Sequence, residues 1–367
     1  MAVLYRKYRP QNFSEVIGQA HIVQTLINSI KNNNISHAYL FSGPRGSGKT
    51  SIARVFAKAI NCQKPHDAEP CNKCSSCLEI SQGNSLDLIE IDAASHRGID
   101  DIRELKEGIK FSPVKSKYKI FIIDECHQLS KDAANALLKT LEEPPSHAMF
   151  ILATTEANKM IQTIVSRCQR FDFKKLNLKE LVEKLKFILK KENVKFEDAT
   201  VLLIAQNARG SLRDAESLLD KCMSFSQAQP MLKAEDVKEL LGIVEISQVA
   251  TFFDLVVSKK AKEAIMYLNE MIEKSIDLNE FVKTFIYYLR EALMLKMNPD
   301  MIHSEDSVLT KEELQKISAD ITKLSHREIK GMMEAFIEAE NKMKYANILQ
   351  LPLELAVLDI IESDENK

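Results

Sequence analysis

Apolar positions in the first half of the chain form short runs separated by helical spacings. Residues 37–42, 86–92, 119–124, 149–154 and 168–173 read as strands. The third and fourth are nearly continuous apolar runs, as expected of strands covered on both faces of a parallel sheet. Between them the period changes. Ala134, Leu137, Leu138 and Leu141 recur at i, i+3, i+4 and i+7 behind a candidate N-cap, Ser130, and Pro144 and Pro145 should stop that helix. This alternation predicts a doubly wound α/β domain ending near residue 175. After Phe173 the strand signals nearly vanish. Residues 176–240 carry several short helical patterns, two of them broken at Gly210. Residues 241–367 read as longer helices, for example 261–274 and 278–297, with a polar tail at 362–367 that should fray. Domain boundaries are expected near 175 and 240.

Composition adds limits to this pattern. The chain has 367 residues, 45% apolar and 28% charged, enough for two or three domains with their own cores. It has no run of about 18 uncharged apolar residues, so no membrane helix is expected. The N-terminus is basic and aromatic and lacks the apolar stretch of a signal peptide, which suggests a cytoplasmic location. Lysine and arginine (50) nearly balance aspartate and glutamate (52). A net charge of −2 argues against a protein that coats DNA, although a local basic patch would suffice for contact.

The sequence GPRGSGKT, Gly43-Pro44-Arg45-Gly46-Ser47-Gly48-Lys49-Thr50, fits the phosphate-loop pattern G-x-x-x-x-G-K-[ST]. It follows the first strand and opens a helix expected over 50–60. Glycines let backbone N–H groups curl around phosphates, with a helix N-terminus behind them. Lys49 would supply positive charge to the β- and γ-phosphates, and the Thr50 hydroxyl would coordinate Mg²⁺. The apolar strand at 119–124 ends in two acids. Asp124 is a candidate Mg²⁺ ligand, and Glu125 a candidate base for an attacking water. Together the two elements point to nucleoside triphosphate hydrolysis.

Four of the seven cysteines, Cys62, Cys71, Cys74 and Cys77, lie within sixteen residues. The x8, x2, x2 spacing in a chain without a disulfide pattern suits one tetrahedral Zn²⁺ with a structural role. Spacing alone leaves a redox centre or an iron–sulfur cluster open. Cys126, Cys168 and Cys222 are scattered and read as buried small apolar residues.

Several segments appear in a telling order: YRKYRPQNFSEVIGQ (5–19), HAYLFSGPRGSGKTSIAR (37–54), LIEIDAAS (88–95), NALLKTLEEPP (135–145), ILATTE (151–156), SRC (166–168) and GSLRDA (210–215). From residue 4 to about 240 the chain closely resembles the gamma/tau family of bacterial DNA polymerase III, the motors of the sliding-clamp loader. The resemblance weakens over the helical remainder. It implies an α/β RecA-like AAA+ domain (1–175) with a zinc-binding insert (62–77), a small helical lid (176–240) and an all-α C-terminal collar (241–367) for oligomerisation.

The resemblance also implies roles. Arg167 of SRC would act in trans on a neighbour's ATP, and Arg213 of GSLRDA would contact the γ-phosphate in cis. Thr155 matches the first sensor, while Arg9, Pro10 and Ile17 match a segment that wraps adenine. The nucleotide set then comprises Arg9, Pro10, Ile17, the loop from Gly43 to Thr50, and Ser51. ATP and ADP, Mg²⁺ and Zn²⁺ are the implied cofactors. Implied partners are delta, delta prime and copies of this chain in a pentameric ring, together with the sliding clamp and primer–template DNA. Contact with DNA would be through its backbone, with Arg97 and Arg103 as candidates. No membrane partner is expected. The chain ends where a collar should end, so the tail that reaches helicase and polymerase in the longer family form is not expected here.

Three other readings compete. A delta-prime-like scaffold would share SRC and the cysteines but carry a degraded phosphate loop. A branch-migration translocase would lack the cysteine cluster and SRC and end in a winged helix. A small-molecule kinase would leave the helical half without a purpose.

Overall fold

The computed structural model describes residues 3–95, 108–109, 111–225, 231–242, 244–274, 276–298, 317–318, 321 and 324–365. The chain divides into two compact units, Met1–Ala234 and Glu235–Lys367.

The first unit is built on a five-stranded, all-parallel sheet. Its strands are β1 (Ala38–Ser42), β2 (Leu88–Asp92), β3 (Lys119–Asp124), β4 (Ala148–Thr154) and β5 (Gln169–Asp172), in the order β2-β3-β4-β1-β5. Each lies within two residues of its expected span. Alternation sorts β1 between two cores. Tyr39 and Phe41 join Ile52, Phe56, Ile22 and Leu26 on one face, from helices α2 (Ala20–Lys31) and α3 (Lys49–Ile60). Ala38 and Leu40 join Phe121, Phe150 and Leu137 on the other. Leu137 belongs to α5 (Lys131–Glu142), which follows α4 (Ser75–Gln82). The Ser130 hydroxyl caps α5 by accepting from the Ala133 N–H at 3.2 Å, and the helix ends two residues before Pro144. The central strands β3 and β4 are buried almost throughout, whereas β5, at one edge, buries only Phe171. Polar residues on an outer strand discourage unwanted pairing. The short helices α1 (Leu4–Lys7) and α6 (Gln162–Val165) also belong to this unit.

Three helices follow: α7 (Leu178–Lys191), α8 (Asp198–Asn207) and α9 (Leu212–Phe225). Asn177 and Glu180 form a reciprocal capping box at the start of α7. Gly210 turns the chain between α8 and α9 at φ +88°, and a Cβ there would lie 2.8 Å from the Lys175 Cβ. The break expected at this glycine is therefore a close backbone approach as well as a turn.

The second unit is wholly helical among the described residues. It contains α10 (Ala234–Leu241, whose first residue closes the first unit), α11 (Ile246–Val257), α12 (Ala261–Glu273), α13 (Leu278–Met297), α14 (His326–Met343) and α15 (Leu351–Glu365). Phe252, Phe281, Phe285 and Phe336 meet edge-to-face at its centre, with ring centroids 4.7–5.9 Å apart for the contacts of Phe252 and Phe336. The tail differs from expectation: α15 continues through 362–365. A helix end can carry polar residues where one face remains seated, as Leu353, Val357 and Ile361 are here. Among the described residues no helix is long and apolar enough to cross a membrane.

Candidate active site

The parallel strands aim their C-terminal ends at one edge of the sheet, and the phosphate loop rises from β1 there. The loop is folded on itself. The Ser47 hydroxyl donates to the Pro44 carbonyl at 2.8 Å, and Lys49 Nζ donates to the carbonyls of Gly43 and Pro44 at 2.7 and 2.9 Å. Lys49 is buried, which depresses its pKa, while the carboxylates of Glu125 and Asp124 work the other way. Its charge is thus held ready in a desolvated place, where an anionic ligand gains most. The loop also meets the start of α9. Leu212 N–H donates to the Gly46 carbonyl at 3.1 Å. A Cβ at Gly46, whose φ is +74°, would collide with the Ser211 hydroxyl. Glycine at 46 therefore lets GSLRDA close on the loop.

Two acids sit at the end of β3. The Thr50 hydroxyl donates to Asp124 Oδ2 at 2.7 Å, so the two candidate Mg²⁺ ligands are already adjacent. Glu125 adopts the left-handed conformation, φ +47°, and this turn carries its side chain toward the end of β4. There its Oε2 accepts from Thr155 N–H at 3.2 Å and from the Thr155 hydroxyl at 2.8 Å. His127, its side chain only 4% exposed, lies alongside. Its Nδ1 is 3.0 Å from Thr154 Oγ1 and 3.4 Å from Glu125 Oε2, and its Nε2 is 3.3 Å from Glu156 Oε1.

These groups border a cleft of about 730 Å³. Arg9, Pro10, Arg45, Gly46, Gly48, Lys49, Thr50, Ser51, Asp124, Glu125 and Arg213 all line it. Gly43, Pro44 and Ser47 form the back of the loop. Thr155 stands behind Glu125. Arg213 packs its guanidinium over the Tyr5 ring, 5.0 Å from the centroid. Ile17 is not among the lining residues and is only half-buried. Arg167 is also outside the cleft of its own chain: it pairs with Glu142 at 2.7 Å and donates to the Thr163 carbonyl at 2.8 Å. Arg97 and Arg103 lie outside the described residues.

The cleft holds residues that the sequence did not single out. Tyr5, Tyr8 and Gln11 extend the N-terminal wall, and Arg54 and Lys58 line it from α3. The available signal was helical spacing: Arg54 and Lys58 are four residues apart and point the same way. Glu216 was recoverable similarly, one turn beyond Arg213 on α9.

Glu216 is 5% exposed. Burial pushes its carboxyl up to about 7, against the pull of Lys184 and Arg9. A folded pKa above the ordinary 4.5 means that the native state keeps a proton that the unfolded chain gives up between those two values. The group's stabilising contribution is full below pH 4.5 and is lost as pH rises through about 7. Glu216→Gln should flatten this fall. Thermal unfolding of the nucleotide-free chain across this window should show the variant gaining on wild type as pH rises, by about 3 kcal/mol at the top.

The cysteine cluster forms a second centre. The sulfurs of Cys62, Cys71, Cys74 and Cys77 all lie within 4.8 Å of one another. Cys71 Sγ and Cys77 Sγ are 4.0 Å apart, too far for a disulfide. Four bonds of about 2.3 Å to a tetrahedral ion put sulfurs about 3.8 Å apart, so the cage fits Zn²⁺ with little contraction. A multi-iron cluster spreads its thiolates around several metals and fits less well. Backbone N–H groups of Lys73 and Cys74 point at Cys71 Sγ at 3.5 and 3.3 Å and hold its thiol down at about 6, which favours the thiolate that a metal needs. Burial pushes the Cys77 thiol up. Cys77 lies on α4. Cys74 occupies its N-cap position, and Gly83 ends it in the left-handed conformation.

A phosphate loop, paired acids at the end of the next buried strand, a threonine at the end of β4 and a helical lid carrying Arg213 define a nucleotide-binding module of the AAA+ type. Family models agree along the chain. "DNA polymerase III, delta subunit" matches residues 18–177, "DNA polymerase III clamp loader subunit, ATPase lid domain" matches 180–228, and "DNA polymerase III subunits gamma and tau domain III" matches 232–366. The DNA polymerase III subunit gamma of Buchnera aphidicola subsp. Acyrthosiphon pisum is 35% identical, over 98% of this chain and 99% of its own length. The subunit tau of Bacillus subtilis is 42% identical over 98% of this chain. The chain spans 63% of that relative's length. The Thermotoga maritima RuvB branch-migration motor superposes with a TM-score of 0.49 at 19% identity, over 68% of this chain and 79% of that one. The chain belongs to the gamma/tau family of bacterial DNA polymerase III, AAA+ clamp-loader ATPases.

Proposed function

We propose that this chain is an ATPase motor subunit of a sliding-clamp loader. It would use ATP binding to hold the clamp open and hydrolysis to release it closed on primed DNA. The observation that carries this reading is the meeting of Lys49, Thr50, Asp124, Glu125 and Arg213 around one cleft, in a chain of the gamma/tau family. An intact phosphate loop with Asp124 and Glu125 beside it distinguishes it from an ATP-silent scaffold. The cysteine cage and SRC favour it over a translocase.

In this reading the phosphate loop and Lys49 bind the β- and γ-phosphates of ATP, and Arg213 closes on the γ-phosphate from the lid. Thr50 and Asp124 would hold Mg²⁺, which neutralises phosphate charge. Glu125 takes a proton from the attacking water. Thr155 keeps that carboxylate aimed, and Arg9 and Pro10 border the base. Because Arg167 lies outside its own cleft, it suits a neighbour's ATP, with sites at the interfaces of a five-membered ring containing delta, delta prime and copies of this chain. The domains would run 1–175, 176–240 and 241–367, in the cytoplasm. Clamp and DNA affinities that differ between ATP and ADP states make hydrolysis the release step. DNA would be gripped by its backbone, since primers differ in sequence.

The test is steady-state ATP hydrolysis by the chain with its partner subunits, with and without clamp plus primed DNA. Strong stimulation by both supports the motor. Turnover indifferent to either overturns it.

The four cysteines would hold a structural Zn²⁺ with no open position for chemistry. Metal analysis of the purified chain should find one zinc per chain. Its removal with a strong chelator should lower the melting temperature by several degrees, because binding energy in such a site is folding energy. A zinc-free chain of unchanged stability would refute this.

A further inference from the structure

The segment after Arg9 is held by the cysteine insert. Arg9, Pro10 and Gln11 form one wall of the nucleotide cleft. On one side of that wall, the Tyr8 hydroxyl donates to Glu192 at 2.5 Å. On the other, Phe13 is buried in the core. Between these anchors Glu15 accepts from the Gln11 N–H at 2.7 Å and from the Asn12 amide at 3.3 Å, and further contacts come from the cysteine insert, α4 and α3. Glu69 accepts with both carboxylate oxygens: Phe13 N–H donates to Oε2 and Ser14 N–H to Oε1, each at 2.8 Å. These N–H groups open the short 3-10 turn Phe13–Glu15, where no intrahelical acceptor exists. The amide of Asn72, within the Cys71–Cys74 loop, donates to the Asn12 side-chain oxygen. The Ser81 hydroxyl of α4 donates to Gln11 Oε1 at 3.2 Å, and buried Lys58 ties the two together, donating to Gln11 Oε1 at 2.7 Å and to Ser81 Oγ at 3.1 Å.

The insert is itself shaped to present Glu69. His66 and Glu69 exchange backbone hydrogen bonds at 3.1 and 2.8 Å around a two-residue turn. Both turn residues, Asp67 and Ala68, have positive φ, at +50° and +68°. A left-handed alanine costs free energy, and such strain persists only where the surroundings enforce it. Glu69 leaves this turn two residues before Cys71, and Asn72 follows Cys71 directly. Closing the thiol cage therefore fixes both contacts to residues 12–14, the segment that directly follows the wall.

We infer that the four-cysteine insert positions the Arg9–Gln11 wall of the nucleotide cleft, with Glu69 as the positioning residue. This rests on the reading of the cleft as an ATP site. The insert then sets nucleotide affinity as well as local stability, without touching the reacting phosphates.

The test compares full-length wild type, Glu69→Ala and Glu69→Gln for Mg·ATP binding, for zinc content and for kcat against KM. Wild-type binding is measured first: its absence overturns the ATPase reading and this inference with it. Given binding, Glu69→Ala should raise Kd and KM about tenfold, since only part of the lost bonding reaches the wall, on the scale of one net hydrogen bond. Its zinc content and saturating kcat should match wild type. Glu69→Gln, with one acceptor oxygen, should fall between. A folded Glu69→Ala chain with wild-type Kd overturns the inference. If Glu69→Ala loses its metal or fold, Asn72→Gly decides, since glycine keeps the left-handed backbone at φ +55° while removing the amide. A Kd raised about threefold at full zinc supports the brace, and an unchanged Kd overturns it.

Discussion

Glu125→Gln should bind Mg·ATP as tightly as wild type and hydrolyse it about 10²–10⁴ times more slowly, the usual contribution of a positioned general base. The local geometry explains why binding should survive. Glu125 acts on Lys49 through charge and its carboxylate is hydrogen-bonded to Thr155 rather than to the phosphate loop. Its Oε2 is held by the Thr155 N–H and hydroxyl at 3.2 and 2.8 Å. A glutamine oxygen can accept the same two bonds, so the side chain should keep its place while losing the negative charge that takes a proton. Neighbouring Asp124, bonded to Thr50, is untouched by the change. Equilibrium binding of a fluorescent ATP analogue and single-turnover hydrolysis separate the two effects. Full turnover in the variant would remove Glu125 from the mechanism. Loss of binding with turnover would mean that the carboxylate shapes the site rather than acting on water.

The ease of reading this site follows from where its parts sit along the chain. The phosphate loop is local: eight consecutive residues, a strand before and a helix after, so the spacing carries both the fold and the chemistry. The sheet was legible for a similar reason. Residues buried on both faces, as in β3 and β4, leave a continuous apolar run that no surface helix shares. Strand order is different. Nothing in the run 38–42 announces that it lies between β4 and β5, because that order is fixed by how the crossover helices pack. The helix α4 was hidden because its segment is dominated by thiol spacing and turn residues. The N-terminal wall was hidden because its contacts are distant in sequence: Glu69 reaches Phe13 across 56 positions, and Tyr8 reaches Glu192 across 184. His127 reads as one more polar residue after the paired acids until β4 brings Thr154 and Glu156 against it. The resemblance supplied Arg9, Pro10 and Arg213, which spacing alone did not. It also supplied Ile17, which the structure leaves off the lining of the cleft.

Arg167→Ala should lower clamp- and DNA-stimulated hydrolysis in the reconstituted assembly about 10³-fold or more, the scale on which an arginine finger acts. ATP binding by the isolated chain should be unchanged, because Arg167 lines no part of its own cleft. Its present partners are weak ones. The Arg167–Glu142 pair at 2.7 Å is on the surface, with 34% and 50% of the side chains exposed, and such pairs contribute about 0–1 kcal/mol. A neighbour's γ-phosphate, accepting two parallel N–H bonds from the guanidinium, can outcompete that contact. The same argument makes Arg167→Lys a poor rescue, since an ammonium lacks the planar fork. Mixing provides the sharper readout. Arg167→Ala and Glu125→Gln chains are each defective alone. If the arginine acts across an interface, assemblies containing both should regain part of the stimulated rate, at sites that pair an intact Glu125 with an intact Arg167. An arginine acting within its own chain predicts no recovery at all, and that result would return Arg167 to the surface ion pair in which it sits here.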